Sequence, residues 1–337
     1  MKKIITIAYK IIDLFPKRFA EPIKIIVNVL LHDWSFFPVM VSHWDYIETI
    51  LALRESSIED SFYGMDKDSI AILKRFIEIQ TLYCIPQHNI KYCIYSRNGL
   101  WTKEEYRASK KLYRQEMRAK RRYGFKRTSD YLSSLVYHHG LAEFTDAQKS
   151  SLAETAFIDA GAFIGDSSLA MLEYGPSKIY AFDPSEKNCE AYRKTMKRKR
   201  IAEDCYTLVA AGLGAENKTI LNFNDSGSAD TRIEDSHGTS SVKIVTLDSF
   251  WQDNMGKIGF IKADVEGAGL DLIIGAEQCI RKYLPVLSIA IYHNEKEFFG
   301  IYKLLNSWNL PYRFKIRKYS YCWENTEITL LAIPDQQ

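Results

Sequence analysis

The chain has no C-x-x-C pair and no Cys/His cluster at zinc-binding spacing. Its six cysteines (Cys84, Cys93, Cys189, Cys205, Cys279 and Cys322) are scattered, which excludes a disulfide scaffold and points to reduced thiols in a cytoplasmic protein. It also lacks internal repeats, low-complexity tracts and any apolar run long enough to span a bilayer. Met1-Lys2-Lys3 followed by IITIAYKIIDLF imitates a secretory leader, but Lys10 and Asp13 interrupt the run and no small-residue cleavage site follows. That segment and residues 23–31 read as amphipathic helices of a soluble protein. Peripheral membrane contact is the disfavoured alternative.

Neither charge sign dominates the 337 residues, whose net charge is +3. With 46% hydrophobic and 26% charged residues, the composition is that of a globular protein with room for two domains. The small total hides a split. Residues 1–150 hold 24 Lys/Arg against 17 Asp/Glu, a net +7, and residues 151–337 hold 21 against 25, a net −4. A seam near residue 150 follows, with a helical domain or cap over 1–128, a lead-in over 129–154 and a second domain over 155–337.

The first of these reads mainly as helix. Ile70, Leu73, Ile77 and Leu82 recur at near-helical spacing, and residues 102–123 form a long basic helix candidate. From residue 155 short apolar runs alternate with helical stretches. The strand candidates are 156–160, 178–182, 206–210, 259–263 and 286–292, which implies βαβ crossovers and a mostly parallel α/β sheet. Residues 312–318 and 327–333 have no helix between them and read as an antiparallel pair closing one edge.

FIDAGAFIGDSSLAML is the most informative stretch. A strand ends at Asp159, glycines stand at Gly161 and Gly165, and Asp166 opens a helix, so a ligand is expected over the strand ends at the switch point of the sheet. A dinucleotide site requires G-x-G-x-x-G, and the third glycine is missing. Acids at 159 and 166 repel a pyrophosphate but attract a sulfonium and an α-ammonium group. The pattern therefore favours S-adenosylmethionine over NAD. Asp183 ends the next strand, where a carboxylate accepts ribose hydroxyls, and the small residues around Gly212 leave a slot for adenine.

IGFIKADVEG then delivers Lys262, Asp264 and Glu266 near one strand end, and alternation places the three on one face. The following strand points His293 at the same edge. These blocks, with YAFDPSEKN, VTLDSF, FIKADVEGAGLDLIIGA and TEITLLAIP in order over about residues 155–333, resemble the FkbM family of S-adenosylmethionine-dependent methyltransferases.

The resemblance implies a class I, Rossmann-like methyltransferase with a seven-stranded sheet whose last strand is antiparallel. It implies O-methyl transfer to a sugar, glycan or related secondary metabolite. By position, Asp159, Gly161 and Gly165 form the cofactor loop, Asp183 meets the ribose, and Asp264, Glu266 and Gly267 floor the transfer site. There are two departures: Asp183 replaces the usual Glu, and Gly269 stands where an acid usually follows EGA.

A hydroxyl acceptor needs a base within hydrogen-bond reach, and His293 as a neutral imidazole is the first candidate, with Asp264 or Glu266 orienting it or acting directly. Catechol-type enzymes place metal ligands at these strand ends, and Asp264 with Asn294 resembles such a site. The full ligand set is not visible, and no metal is expected. The basic helix carries 11 Lys/Arg against 3 acids over 101–127, interleaved with tyrosines. A solvated face with Tyr106, Tyr113 and Met117 packed inward is favoured there over a nucleic acid or lipid-diphosphate partner. His138-His139 serves either as substrate contacts or as a polar hinge. Two other classes stand against the methyltransferase: an NAD or nucleotide-sugar oxidoreductase, and a non-catalytic scaffold binding an anionic partner. Oligomeric state stays open.

Overall fold

The computed structural model describes residues 34–38, 58–84, 92–96, 103–125, 132, 134–223, 240–319 and 327–335. The two apolar N-terminal segments, 4–15 and 23–31, lie outside them. Within the basic half, β1 (Trp34–Pro38) pairs antiparallel with β2 (Tyr92–Ser96). The helical reading of that half did not include these strands, because neither run alternates in polarity. Two long helices are also present, α1 (Lys67–Cys84) and α2 (Lys103–Tyr123). Among the described residues no helix is long and apolar enough to cross a membrane.

The second half builds one seven-stranded sheet from β3 (Ala156–Ala160), β4 (Lys178–Phe182), β5 (Tyr206–Val209), β9 (Ile258–Ala263), β10 (Val286–Ala290), β11 (Tyr312–Lys318) and β12 (Ile328–Pro334). Its spatial order is β11-β12-β10-β9-β3-β4-β5. The links β10-β9, β9-β3, β3-β4 and β4-β5 are parallel, and β12 runs antiparallel to both its neighbours. The chain moves outward from β3 to β5, then returns to β9 on β3's other side. The carboxyl ends of β3 and β9 therefore flank the switch point. A smaller three-stranded sheet, β6 (Gly212–Leu213), β8 (Ser240–Val245) and β7 (Lys218–Phe223), lies outside the alternating pattern.

The central strands are buried on both faces, as parallel strands covered by helices must be. Ala156, Ile158 and Ala160 face one core, with Phe62 and Phe76 of the N-terminal half; Phe157 faces the other, with Tyr123 and Tyr192. Helices α3 (Asp166–Met171), α4 (Glu186–Lys199), α5 (Gly269–Ile274) and α6 (Ile301–Ser307) join these layers. The N-terminal half thus shares the sheet's core across the charge seam. Ser69 of α1 also reaches the open side of β11: its hydroxyl accepts from Ile316 N–H at 2.8 Å and donates to Ile316 carbonyl at 3.5 Å.

Of the inward stripe expected on helix α2, Tyr113 faces out, Met117 is half-buried, and the side chain of Tyr106 lies outside the described residues. Leu112, Glu116, Lys120 and Tyr123 turn inward at spacings of four, four and three. Glu116 and Lys120 form a buried ion pair at 3.3 Å, and Glu116 also accepts from Leu132 N–H at 2.8 Å. The hydrogen bonds, rather than the apolarity, decide this face.

Candidate active site

The turn after β3 is shaped by its neighbours. Gly161 has φ +73°, and a Cβ there falls 1.8 Å from the carbonyl oxygen of Asp264. Glycine is required at 161 because the backbone just past β9 passes against it. Gly165, at φ +83°, is the residue before α3, and a Cβ there meets Met196 and Tyr192 of α4. Both glycines permit close packing of backbone and helix around the switch point.

Asp159 does not stand open to a cationic ligand, contrary to the reading of its charge. It is fully buried, and one carboxylate oxygen accepts from the hydroxyls of Ser167 and Ser168, each at 2.6 Å. Lys262, its register partner on β9, lies 3.2 Å from the other. Nor does Lys262 join the strand-end triplet: it points under the turn and donates to the carbonyls of Ala160 at 3.1 Å and Gly161 at 2.6 Å. Burial opposes its charge, but Asp159, Asp264 and Asp166 outweigh that and raise its pKa. The expected attraction is cancelled at its source by a lysine one strand away.

Asp183 ends β4, nearly buried, and closes onto the turn by accepting from Phe163 N–H at 2.9 Å. Ser185 N–H and the Asn188 amide also donate to it. The Asn188 amide straddles both oxygens at 3.2 and 3.4 Å, the longest of these contacts, and is the donor that a ribose hydroxyl would displace. Burial pushes the Asp183 pKa up to about 6 against those three donors, and burial likewise pushes Asp166 up to about 6. Gly212 is buried in β6, paired with Ile244, three residues past the end of β5.

Asp264, Glu266 and His293 do converge, at the carboxyl ends of β9 and β10. His293 Nε2 lies 3.3 Å from Asp264 Oδ1 and 3.6 Å from Glu266 Oε1. Its Nδ1 lies 3.0 Å from Glu297 Oε2. Burial alone lowers an imidazole pKa, but Glu266, Asp264 and Glu297 outweigh it and raise His293 well above its usual value. The same contact holds Asp264 below the usual carboxylate range against its own burial. The three acids favour a cation between them, where the sequence reading puts a neutral imidazole base. The neutral histidine is His139. The residue is half-buried with its Nε2 enclosed, and desolvation first and Lys262 second hold its pKa down to about 4. It lines a small polar cavity with Asp264, Tyr292, Tyr319 and Glu327.

One residue here, Glu297, was not singled out from the sequence. Glu297 lies on the wide π-type turn Lys296–Gly300 that precedes α6, four residues after His293. That i, i+4 spacing was the available signal. Its second oxygen accepts from Gly269 N–H at 2.7 Å. His139, read with His138 as a substrate contact or a polar hinge, is brought in by three successive left-handed residues, His138, His139 and Gly140, at φ +48°, +52° and +95°. His138 itself faces away, between Tyr123 and Tyr174.

Residues 159–319 match the family model described as the methyltransferase FkbM domain. That stretch is similar to the FkbM methyltransferase domain. Its fold is the α/β class I methyltransferase fold, with the seven-stranded sheet and antiparallel last strand described above. Around that stretch, the chain is similar to solved structures of methyltransferase FkbM from Methylobacillus flagellatus, at 16% identity over 66% of this chain and 60% of that one, TM-score 0.43. It is also similar to an rRNA methylase from Streptococcus thermophilus, at 15% over 55% and 90%, TM-score 0.36. A third is the SAH-bound methyltransferase PaMTH1 of Podospora anserina, at 12% over 66% and 88%, TM-score 0.35. The chain thus spans 60% of the length of the first of these. A comparison with curated proteins finds no match.

Proposed function

We propose that this chain is an S-adenosylmethionine-dependent O-methyltransferase acting on a hydroxyl of a sugar, glycan or related secondary metabolite. The observation that carries the reading is the meeting of Asp183 with the Gly161–Gly165 turn at the switch point, inside a stretch similar to the FkbM methyltransferase domain. The residues present fit the cofactor. Asp183 can exchange its long Asn188 contacts for a ribose hydroxyl, and the acids at the ends of β9 and β10 outnumber the cations beside them, which suits a sulfonium. When bound, S-adenosylmethionine supplies an already activated methyl group.

The protein's own part is then positioning. The Asp183 carboxylate holds the ribose end, the turn over Lys262 fixes the loop beneath it, and Asp264 and Glu266 stand where the acceptor enters. The acceptor being an oxygen rests on the family resemblance and on this acidic rim. The basic N-terminal half, sharing the core of the sheet, bears on acceptor choice.

Calorimetry with S-adenosylhomocysteine tests the reading. Binding to the full chain is expected, and Asp183→Ala weakens it at least tenfold. Tight NAD binding with no S-adenosylhomocysteine binding overturns it. Transfer of a labelled methyl group to cell-extract glycans identifies the acceptor class.

A further inference from the structure

Asp264, Glu266 and His293 each offer one ligand atom, and the three atoms lie within 4.8 Å of one another. His293 is the informative member. Its side chain is 1% exposed, and its Nε2 points between the two carboxylates. Although Nε2 stands at ion-pair distance from both, it makes no hydrogen bond, and neither does Asp264 Oδ1. Buried polar atoms left in this way call for a partner.

The other ring nitrogen is committed. With Nδ1 paired to the fully buried Glu297, Nε2 is the nitrogen turned toward Asp264 and Glu266, and a metal ion bound there takes the place of its proton. A carboxylate on the far nitrogen is the arrangement that orients metal-ligating histidines and raises their basicity. Glu297 is itself fixed, by Gly269 N–H on one oxygen and by its own N–H donated to Asn294 Oδ1 at 2.9 Å. Cis ligands on an ion with bonds of about 2.1 Å stand roughly 3 Å apart, close to the separations here.

We propose that Asp264, Glu266 and His293 bind one divalent cation. Charge argues the same way. Asp264, Glu266 and Glu297 surround a single imidazole, Glu327 lies against the same cavity, and Lys262 is already committed to Asp159 and two carbonyls. Two carboxylates with one imidazole suit Mn²⁺, Fe²⁺ or Zn²⁺ better than the all-oxygen preference of Ca²⁺. Three protein ligands leave positions for oxygens of an acceptor, toward which such an ion supplies Lewis-acid chemistry. That last role rests on the methyltransferase reading; the binding of the ion does not.

The test is a Mn²⁺ titration of the chelator-treated full chain, followed by electron paramagnetic resonance, with S-adenosylhomocysteine binding measured on the same samples. One Mn²⁺ per chain is expected. Glu266→Gln, a conservative change at a partly exposed position, is expected to weaken it at least about 100-fold, and the positioning variant Glu297→Gln about 10–100-fold. Retained S-adenosylhomocysteine binding and an unchanged circular dichroism spectrum show that each variant is folded. A chain that binds S-adenosylhomocysteine but takes up no stoichiometric Mn²⁺ or Zn²⁺ overturns the proposal and leaves the methyltransferase reading intact. So does uptake unaffected by both variants. Uptake with no S-adenosylhomocysteine binding supports the metal site and sinks the other reading.

Discussion

Glu297 occupies the room that a side chain at residue 269 would take: a Cβ on Gly269 falls 2.7 Å from Glu297 Oε1, the atom that accepts the Gly269 N–H. The resemblance places an acid directly after EGA, and this chain has glycine there. Its carboxylate arrives instead from the turn before α6, and the same group holds His293. The departure at 269 and the acid at 297 are two halves of one arrangement.

A double-mutant cycle checks that coupling. Gly269→Glu alone is expected to destabilise the fold by about 1–3 kcal/mol, because two carboxylates then compete for one space. Glu297→Ala alone costs a similar amount, roughly 1–3 kcal/mol, by orphaning a buried N–H. The pair together is expected to cost less than the sum. Strict additivity in urea unfolding removes the argument.

Asp183 makes cofactor affinity depend on pH. Its folded pKa of about 6 exceeds the ordinary 3.8, so between those values the folded chain holds the extra proton. For this group stability is greatest below pH 3.8 and is lost as pH rises through 6. Ribose recognition runs the other way, since the ionised form is the better acceptor. S-adenosylhomocysteine is expected to bind about tenfold more weakly at pH 5 than at pH 7.5, and Asp183→Asn to flatten the profile.

Lys262→Met leaves the Asp159 carboxylate buried without its cation. A loss of about 3–5 kcal/mol is expected, read from denaturant midpoints. Lys262→Met with Asp159→Asn together is expected to recover most of it, since neither charge is then stranded. If the double variant were no more stable than the single one, the ion pair would not be what the turn depends on.

Gly161→Ala forces a methyl group against the Asp264 carbonyl, at a φ of +73° that alanine resists. Loss of S-adenosylhomocysteine binding together with more than about 2 kcal/mol of stability is expected. A control at Gly175, where φ is +63° and a Cβ meets nothing, separates conformational strain from collision.

Much of this site was legible in local pattern. Apolar runs marked the seven strands to within a residue or two at most ends, and the spacing of Gly161 and Gly165 after Asp159 located the switch point. Alternation along 262–266 brought Asp264 and Glu266 to one edge beside His293. What failed needed register or long-range packing. Which strand faces Asp159 decides that Lys262 neutralises it, and no window of sequence carries that information. The charge around His293 is set by three acids, two from the loop after β9 and one from the turn before α6. The neutral state of His139 follows from desolvation beside a lysine more than a hundred residues away. The stripe on α2 was misread because polar side chains satisfied by hydrogen bonds can face a core as well as tyrosines do.

The hydroxyl of Ser69 has a consequence for where this chain can be divided. It takes the outward backbone N–H and carbonyl of Ile316 on β11, where a further strand would otherwise pair. A fragment beginning near residue 155, at the charge seam, keeps all seven strands but uncovers that rim. Such a fragment is expected to stick to itself through β11, growing with concentration in size-exclusion profiles where the full chain is expected not to. The seam in charge is a poor place to cut.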